Sequence, residues 1–217
     1  MSFEFGPELY QASLETLQML SIGLSAALVF GGALGILLYL WRPDGLRPNR
    51  FLAFTVGGLI NVIRSFPFVI LLISIGPLTR AITGTTIGPV AASVPLAIAA
   101  IAYFARLVEL ALNEVPRGII EAAVGMGAST PRIVFSVLIV EAKSALILGF
   151  TTLAVSFVSY SAAAGIVGGG GIGDLAIRYG YYRFQTDVMV VTVAGLILIV
   201  QLIQFTGNRV AARYNRK

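Results

Sequence analysis

Long uncharged stretches alternate with short charged segments along the 217-residue chain. A helix needs roughly 20 apolar residues to span a hydrocarbon layer about 30 Å thick, and four of the uncharged stretches are at least that long. The pattern therefore predicts transmembrane helices at about residues 16–41, 85–106, 143–164 and 188–208.

A further apolar stretch, residues 51–79, is interrupted by Arg64. An arginine at the centre of a bilayer costs at least about 2.5–3.5 kcal/mol on insertion scales. We therefore expect Arg64 at the headgroup boundary and a second span at about 65–79, with an alternative start near residue 53 on a tilted or interfacial helix. Pro67 is expected at the start of this span or at a kink, because proline removes a backbone donor and clashes inside a helix.

Composition supports a membrane location and excludes several kinds of chemistry. The chain is 57% apolar and only 12% charged, which leaves too little polar surface to cover a water-soluble globule of this size. It contains no cysteine and no histidine, so disulfides, thiol nucleophiles, serine–histidine relays and cysteine or histidine metal sites are excluded. We therefore predict an all-α integral membrane protein with five transmembrane helices in a single domain, residues 1–217, and no metal site.

The lysines and arginines are unevenly divided between the two sides of these five helices. The connections on one side carry 11 of them, and the connections on the other side carry three. Because positively charged connections stay in the cytoplasm, the N-terminus is predicted outside and the C-terminus inside. The net charge of +5 thus reflects topology, and we expect no nucleic-acid partner.

Small residues recur every four positions along the first predicted helix, at Gly23, Ala27, Gly31 and Gly35. Closely packed helices in lipid favour small residues where they touch. The stripe predicts either packing within one subunit or a seam between two copies of the chain.

The connection between the third and fourth spans has the local signals of a short helix. Pro116 suits a first helical position, and Gly127 suits a left-handed turn that ends a helix. These two signals predict a helix at about residues 117–127. Thr130 and Pro131 then predict the start of another helix that leads to the fourth span.

This segment resembles the "EAA" coupling motif of ABC importer permeases. Glu121, Ala122 and Ala123 are followed after three residues by Gly127, and Val140 stands where the motif has a proline. Four longer segments are similar to methionine ABC importer permeases, namely residues 61–68, 84–88, 106–128 and 159–181.

The resemblance implies the type I ABC importer permease fold and a role as the transmembrane subunit that moves methionine, both D- and L-, across a bacterial inner membrane. It implies a permease homodimer, two ATPase subunits that bind ATP and Mg²⁺, and an extracytoplasmic methionine-binding protein. The chain itself would be a non-catalytic subunit without a bound cofactor. The predicted short helix would dock on the ATPase through the motif residues Glu121, Ala122, Ala123, Gly127 and Ala128.

Hydroxyl groups in the fourth span are candidates for the translocation path. Tyr160 and Ser161 lie in an alanine-rich stretch, and the resemblance covers the same positions. Polar side chains inside membrane bundles tend to face water or substrate, although serines there also bond to their own helix. We expect Tyr160, Ser161 and Ala163 to line a path or gate, with hydrogen bonding within the helix as the alternative.

A run of glycines follows the fourth span, at Gly168, Gly169, Gly170 and Gly171. Its spacing formally matches a dinucleotide-binding pattern, but no soluble strand precedes the run and no Gly-Lys-Ser/Thr follows it. Flexible backbone at the outer mouth of the path is the favoured interpretation. Since the chain has no Walker sequence, a partner has to hydrolyse the ATP.

Two other classes of function remain as alternatives. A self-sufficient channel or ion-coupled amino-acid carrier would need a selectivity filter or an intramembrane carboxylate relay, and the predicted spans carry neither. A membrane-embedded enzyme would need histidine, cysteine or paired carboxylates in the membrane. Both alternatives therefore rank below the importer subunit.

Overall fold

The computed structural model describes residues 5–215, and most of these residues are helical. The α-helical segments in this range are α1 (Phe5–Ala26), α2 (Gly32–Trp41), α3 (Arg50–Ser65), α4 (Phe68–Ser74), α5 (Gly76–Thr83), α6 (Pro89–Asn113), α7 (Arg117–Gly125), α8 (Thr130–Ile133), α9 (Ile139–Glu141), α10 (Lys143–Ala164), α11 (Gly171–Leu175) and α12 (Thr186–Tyr214). Short π-helical segments lie at Ala27–Gly31, Val134–Leu138 and Ala176–Tyr181, and a 3-10 turn lies at Gly165–Val167.

Four helices within residues 5–215 are long and apolar enough to cross a membrane. They are Gly6–Trp41, which joins α1 and α2 through a π-helical turn, then α6, Lys143–Val167 and α12. α3 and α4 together form a fifth candidate, which is bent by 106°. This architecture confirms the predicted all-α membrane fold.

α1 begins at Phe5, well before the first predicted span at residue 16. The uncharged stretch starts after Glu15, yet Glu15 lies inside the helix, and its carboxylate accepts a hydrogen bond from the Gly171 backbone N–H at 2.7 Å. A carboxylate with such a partner is tolerated inside a long helix. The start of the helix and the start of the apolar stretch are therefore different positions in this chain.

The other long helices cover most of each predicted span, with different bounds. α6 begins at Pro89 rather than near residue 85, because Gly88 with φ +98° is not helical and Pro89 suits a first helical position. α10 begins and ends at the predicted residues, and α12 extends past both predicted ends. α6 runs beyond residue 106 because Arg106 and Glu109, one turn apart, pair at 2.5 Å and continue the helix rather than ending it.

The second predicted span, at about 65–79, is divided among three helices. Phe66 is extended, with φ −72° and ψ 131°, and Pro67 follows it at the 106° bend between α3 and α4. A second break lies at Ile75, because Pro77 in the first turn of α5 has no N–H with which to continue α4. The prediction of a single helix at about 65–79 is therefore wrong, whereas the predicted kink at Pro67 is confirmed.

α6 lies at the centre of the bundle and contacts α1, α2, α3, α4, α5 and α10. The small-residue stripe of the first helix packs directly on it. A Cβ at Gly31 would lie 2.8 Å from the Ile101 carbonyl oxygen, and a Cβ at Gly35 would lie 2.5 Å from the Ala105 carbonyl oxygen. Only glycine permits so close an approach. The stripe therefore packs within one subunit, which was one of the two predicted alternatives.

α12 lies at the edge of the bundle and is largely exposed in the single chain. It packs on α10, where Thr151 leaves no room for a Cβ at Gly207. More than half of the side-chain surface is exposed at several of its apolar residues, including Val190, Ile197, Leu202 and Phe205. An apolar exposed face of this kind fits lipid or a partner chain as its surroundings.

Candidate coupling helix and translocation surface

Local signals at both ends define α7. Pro116 precedes the helix with φ −58° and ψ 129°. At the other end Gly127 adopts φ +75°, and the Ala128 N–H donates to the Ala123 carbonyl at 3.1 Å. A bond of this type across a left-handed glycine is part of a Schellman motif, which ends a helix. The predicted left-handed turn at Gly127 is confirmed, and the helix itself ends at Gly125.

The motif residues around α7 face in different directions. Glu121, Ala122 and Gly127 are exposed, whereas Ala123 is buried and Ala128 is half-buried. Ala123 belongs to the main hydrophobic core, and Ala128 packs against that core. The surface open to a partner is thus formed by Glu121, Ala122 and Gly127, while Ala123 anchors the helix to the bundle.

Three apolar side chains on and beside α7 are also exposed. They are Ile119, Val124 and Met126, with exposed fractions of 39%, 50% and 81%. Together with Glu121 they give α7 a mixed apolar and acidic surface. Exposed apolar patches rimmed by polar groups mark interaction sites. No sequence signal distinguished these side chains from buried ones, because apolar residues on a short helix are more often packed inward.

A cavity of about 470 Å³ separates α7 from the connection that follows α2. Asp44, on that connection, forms ion pairs with Arg42, at 3.1 Å, and with Arg117 of α7. Ile120 and Glu121 line the same cavity. Asp44 therefore ties α7 to the end of the first long helix. No sequence signal pointed to Asp44, because its partner on α7 lies 73 positions further along the chain.

Between α8 and α10 the chain is an irregular helix. A π-helical segment, Val134–Leu138, follows α8, and Ala142 interrupts the helix again with φ −79° and ψ 0°. π-helical segments and breaks of this kind change the direction of a helix. The helix is thus irregular here although Val140, and not a proline, stands at the motif's proline position.

Tyr160 of α10 packs against two other aromatic rings. Its ring stacks on Phe68 of α4, with centroids 4.8 Å apart and an interplanar angle of 3°, and it meets Phe157 edge-on at 5.0 Å. Phe68 is the first residue of α4, directly after the bend at Pro67. The stack therefore joins the bent segment to α10. No role was predicted for Phe68, because a ring pair between two helices depends on the fold.

The other two predicted path residues are placed differently. Ser161 is 1% exposed, and its hydroxyl donates to the Val158 carbonyl at 2.8 Å. This bond is the predicted alternative, in which the serine hydroxyl bonds to its own helix instead of lining the path. Ala163 is half-buried and Ser159 is exposed. In this conformation Ser159, rather than Ser161, presents a hydroxyl on the surface of the single chain.

The glycine run forms a tightly packed turn. Three of its residues have φ between +77° and +84°, namely Gly168, Gly170 and Gly171. The Gly171 N–H donates to Glu15 at 2.7 Å, and the Ile172 N–H donates to Thr16 Oγ1 at 2.9 Å. A Cβ at Gly170 would lie 2.5 Å from the Glu15 carboxylate. Left-handed backbone and close approach account for these glycines, and flexibility at the outer mouth stays a prediction.

The same turn is tied to α10 and to the start of α6. The Gly169 N–H donates to the Ala164 carbonyl at 2.9 Å, and the Gly88 N–H donates to the Gly168 carbonyl at 2.8 Å. α1, α6 and α10 therefore meet at this turn, at the opposite end of the bundle from α7. Within residues 5–215, no three carboxylates lie close enough together to hold a metal ion.

Comparisons with known proteins agree with this architecture. The family model for the binding-protein-dependent transport system inner membrane component matches residues 20–217. The probable D-methionine transport system permease protein MetI of Vibrio cholerae is 44% identical over 209 residues, which cover 96% of this chain and 93% of that protein. The methionine import system permease protein MetP of Bacillus subtilis is 42% identical, with coverage of 93% and 90%.

A solved structure gives the same result for the fold. A chain in an inward-facing structure of the MetNI methionine ABC transporter is 41% identical to this one, with a TM-score of 0.96 and complete coverage of both chains. The sequence match and the structural match thus extend over nearly all of the helices described above. This chain belongs to the family of binding-protein-dependent transport system inner membrane components.

Proposed function

We propose that this chain is the transmembrane subunit of an ATP-driven importer that moves D- and L-methionine into the cytoplasm. The observation that carries the proposal is its 42–44% identity, over more than nine-tenths of the chain, to methionine transport permeases of Vibrio cholerae and Bacillus subtilis. A second copy of the chain would complete the path. Two ATPase subunits would bind ATP and Mg²⁺, and an extracytoplasmic binding protein would deliver methionine.

α7 supplies the mechanical connection to the ATPase in this proposal. Its exposed apolar side chains offer contact area, and the Glu121 carboxylate offers a partner for basic or N–H groups. Coupling needs an element whose position is biased by both sites. α7 suits this role because Ala123 anchors it in the core and the Arg117–Asp44 ion pair ties it to the first long helix.

The surface around α4 and α10 is the proposed lining of the path. The stack of Tyr160 on Phe68 can close a passage by excluding water, and it can open when α4 turns about Pro67. Methionine is zwitterionic, and α10 carries no charged residue after Lys143. We infer that the permease provides a passage rather than a charged binding site, so that selectivity rests on the binding protein.

The proposed orientation follows the distribution of basic residues. α7 and the C-terminus lie in the cytoplasm, while the N-terminus and the glycine turn lie outside, and the membrane is the inner membrane of a bacterium. This orientation places the glycine turn on the side of the binding protein and α7 on the side of the ATPase.

Reconstitution tests the proposal. The chain is placed in proteoliposomes with the ATPase and the binding protein of its own organism, and uptake of labelled L- and D-methionine is measured with and without ATP. We expect uptake only when all three proteins and ATP are present. Uptake by the chain alone would favour a self-sufficient carrier. ATP hydrolysis without methionine uptake would contradict the proposed substrate.

A further inference from the structure

A long apolar groove runs along one side of the bundle. α3, α4 and α5 do not line this groove. Its volume is about 800 Å³, and it lies between the first long helix, α6, α10 and α12. Its lining includes Phe104 and Phe150, and their rings meet edge-on at 5.4 Å. Neither α7 nor Tyr160 contributes to the groove, so the groove is separate from the coupling helix and from the proposed path.

The length of the groove matches one leaflet of a bilayer. Leu24, Leu28, Gly32 and Ile36 line it at four-residue spacing along the first helix. At 1.5 Å per residue, this stripe is about 18 Å long. Half of a hydrocarbon layer about 30 Å thick is about 15 Å. An extended acyl chain of one leaflet therefore fits along the stripe.

Basic residues lie at one end of the groove. Lys143 is part of the lining. On α12, Thr206 lines the groove, and Arg209 and Arg213 follow Thr206 at spacings of three and seven residues, on the same helix face. The described residues form no ion pair that includes Lys143, Arg209 or Arg213. Lys143 lies over the ring of Tyr214, at 3.6 Å, and Arg209 lies over the ring of Phe205, at 4.6 Å, and neither contact neutralises the positive charge. Within five sequence positions of the three basic residues, Glu141 is the one acidic residue, so basic groups outnumber acidic ones there.

We propose that this groove is a binding site for an anionic glycerophospholipid. One acyl chain lies along the apolar stripe of the first helix, and the phosphate group meets Lys143, Arg209 and Arg213. A zwitterionic lipid carries the same phosphate, but its own cation offsets that charge beside the three basic side chains. A hydrocarbon of one-leaflet length with a negative head is the one occupant that matches both the length of the groove and the charge at its end.

Native mass spectrometry of the purified full-length chain tests the proposal. The chain is titrated in nonionic detergent with phosphatidylglycerol and with phosphatidylcholine that carry the same acyl chains. We expect phosphatidylglycerol to be retained at least fivefold better, since each basic residue near an anionic headgroup contributes a factor of roughly five. Lys143→Gln should reduce this preference by about that factor. Equal retention of the two lipids, or an unchanged preference in Lys143→Gln, would overturn the proposal.

A matched pair of glycine variants separates the groove from nonspecific lipid binding. At Gly32 a Cβ meets only Phe104 Cε1, at 3.8 Å, and at Gly195 of α12 no atom lies within 4 Å. Gly32→Leu fills the groove and should release the lipid, whereas Gly195→Leu should retain it. Equal retention in the two variants would overturn the proposal. So would a change in the number of chain copies per particle in Gly32→Leu, because the groove would then be a contact between copies.

Discussion

Glu15 and Gly171, 156 positions apart in the sequence, are joined by a 2.7 Å hydrogen bond from the glycine N–H to the carboxylate. Gln11 donates to the other carboxylate oxygen at 3.1 Å, so both oxygens of Glu15 have a partner. The bond holds the first helix against the glycine turn at the end of the bundle opposite α7. Hydrogen bonds to charged groups contribute about 1.5–3 kcal/mol, which makes this contact one of the stronger links between distant segments.

Glu15→Ala should lower the thermal stability of the purified protein. The substitution leaves the Gly171 N–H without its partner, which costs about 1–3 kcal/mol. Glu15→Gln keeps an acceptor and should recover most of the loss. Gln11→Ala serves as the control, because it removes only the exposed bond to the same carboxylate. Identical unfolding midpoints for Glu15→Ala and Gln11→Ala would contradict this account.

Gly118→Trp should prevent α7 from docking on the ATPase and abolish transport-linked ATP hydrolysis. Gly118 is exposed in α7, and no atom lies within 4 Å of a Cβ built there, so the indole projects without disturbing the chain itself. Gly127 is a poorer position for this test, because its φ of +75° strains any L side chain. Gly195→Trp, equally open on α12, is the control. Copurification of the ATPase and coupled hydrolysis are measured, and normal values in Gly118→Trp would rule out docking through α7.

Arg117→Gln should lower methionine uptake per ATP without lowering stability. The Arg117 side chain is 75% exposed, and exposed ion pairs contribute at most about 1 kcal/mol to folding. The variant instead loses the tie between α7 and Asp44. Arg132→Gln changes another exposed arginine of the same connection and should keep the ratio unchanged. If both variants transport alike, the ion pair has no part in coupling.

Tyr160→Ala should uncouple the transporter, so that ATP is hydrolysed faster than methionine moves. The variant loses the stack on Phe68 and the edge contact with Phe157. Each such ring pair contributes about 0.5–1.5 kcal/mol beyond the burial of its area. Tyr160→Phe keeps both contacts and should transport normally. Unchanged uptake per ATP in Tyr160→Ala would assign this ring to ordinary packing.

Cysteine labelling should place Arg178 outside the cell and Met126 in the cytoplasm. The chain has no cysteine of its own, so a single introduced thiol reports one position. Arg178 and Met126 are both exposed, and the uneven distribution of lysine and arginine puts them on opposite sides. An impermeant thiol reagent added to intact cells should modify Arg178→Cys alone. Labelling of Arg178→Cys only after the cytoplasmic side is opened would refute the five-span orientation.

The sequence was a reliable guide where a few neighbouring residues decide the geometry. Pro116 and Gly127 predicted the ends of α7 because a proline and a left-handed glycine act within one helical turn. Pro67 predicted the kink after α3 for the same reason. Signals of this kind need no knowledge of the rest of the chain.

Contacts between distant segments could not be predicted in this way. Glu15 directly precedes the uncharged stretch that predicted the first span, yet it lies within α1 and binds a turn far along the chain. For Ser161 the sequence allowed two roles, lining the translocation path or hydrogen bonding within its own helix. In this conformation the side chain is buried and its hydroxyl bonds to its own helix. The exposed Ile119 and Met126 could not be told from core residues, because hydrophobicity alone does not reveal which face the bundle covers.

The bend at Pro67 interrupts the helical hydrogen bonding between α3 and α4. The hydrogen bonds at the start of α4 include one from the Leu71 N–H to the Pro67 carbonyl, while the Phe66 N–H turns back to Ile63 of α3. Helical cooperativity therefore stops at the bend, and amide exchange in α4 should proceed at its own rate. Reorienting α4 requires the loss of side-chain contacts such as the ring of Phe68 on Tyr160. Such a ring pair contributes about 0.5–1.5 kcal/mol beyond the burial of its area, and no continuous helix has to break at the bend.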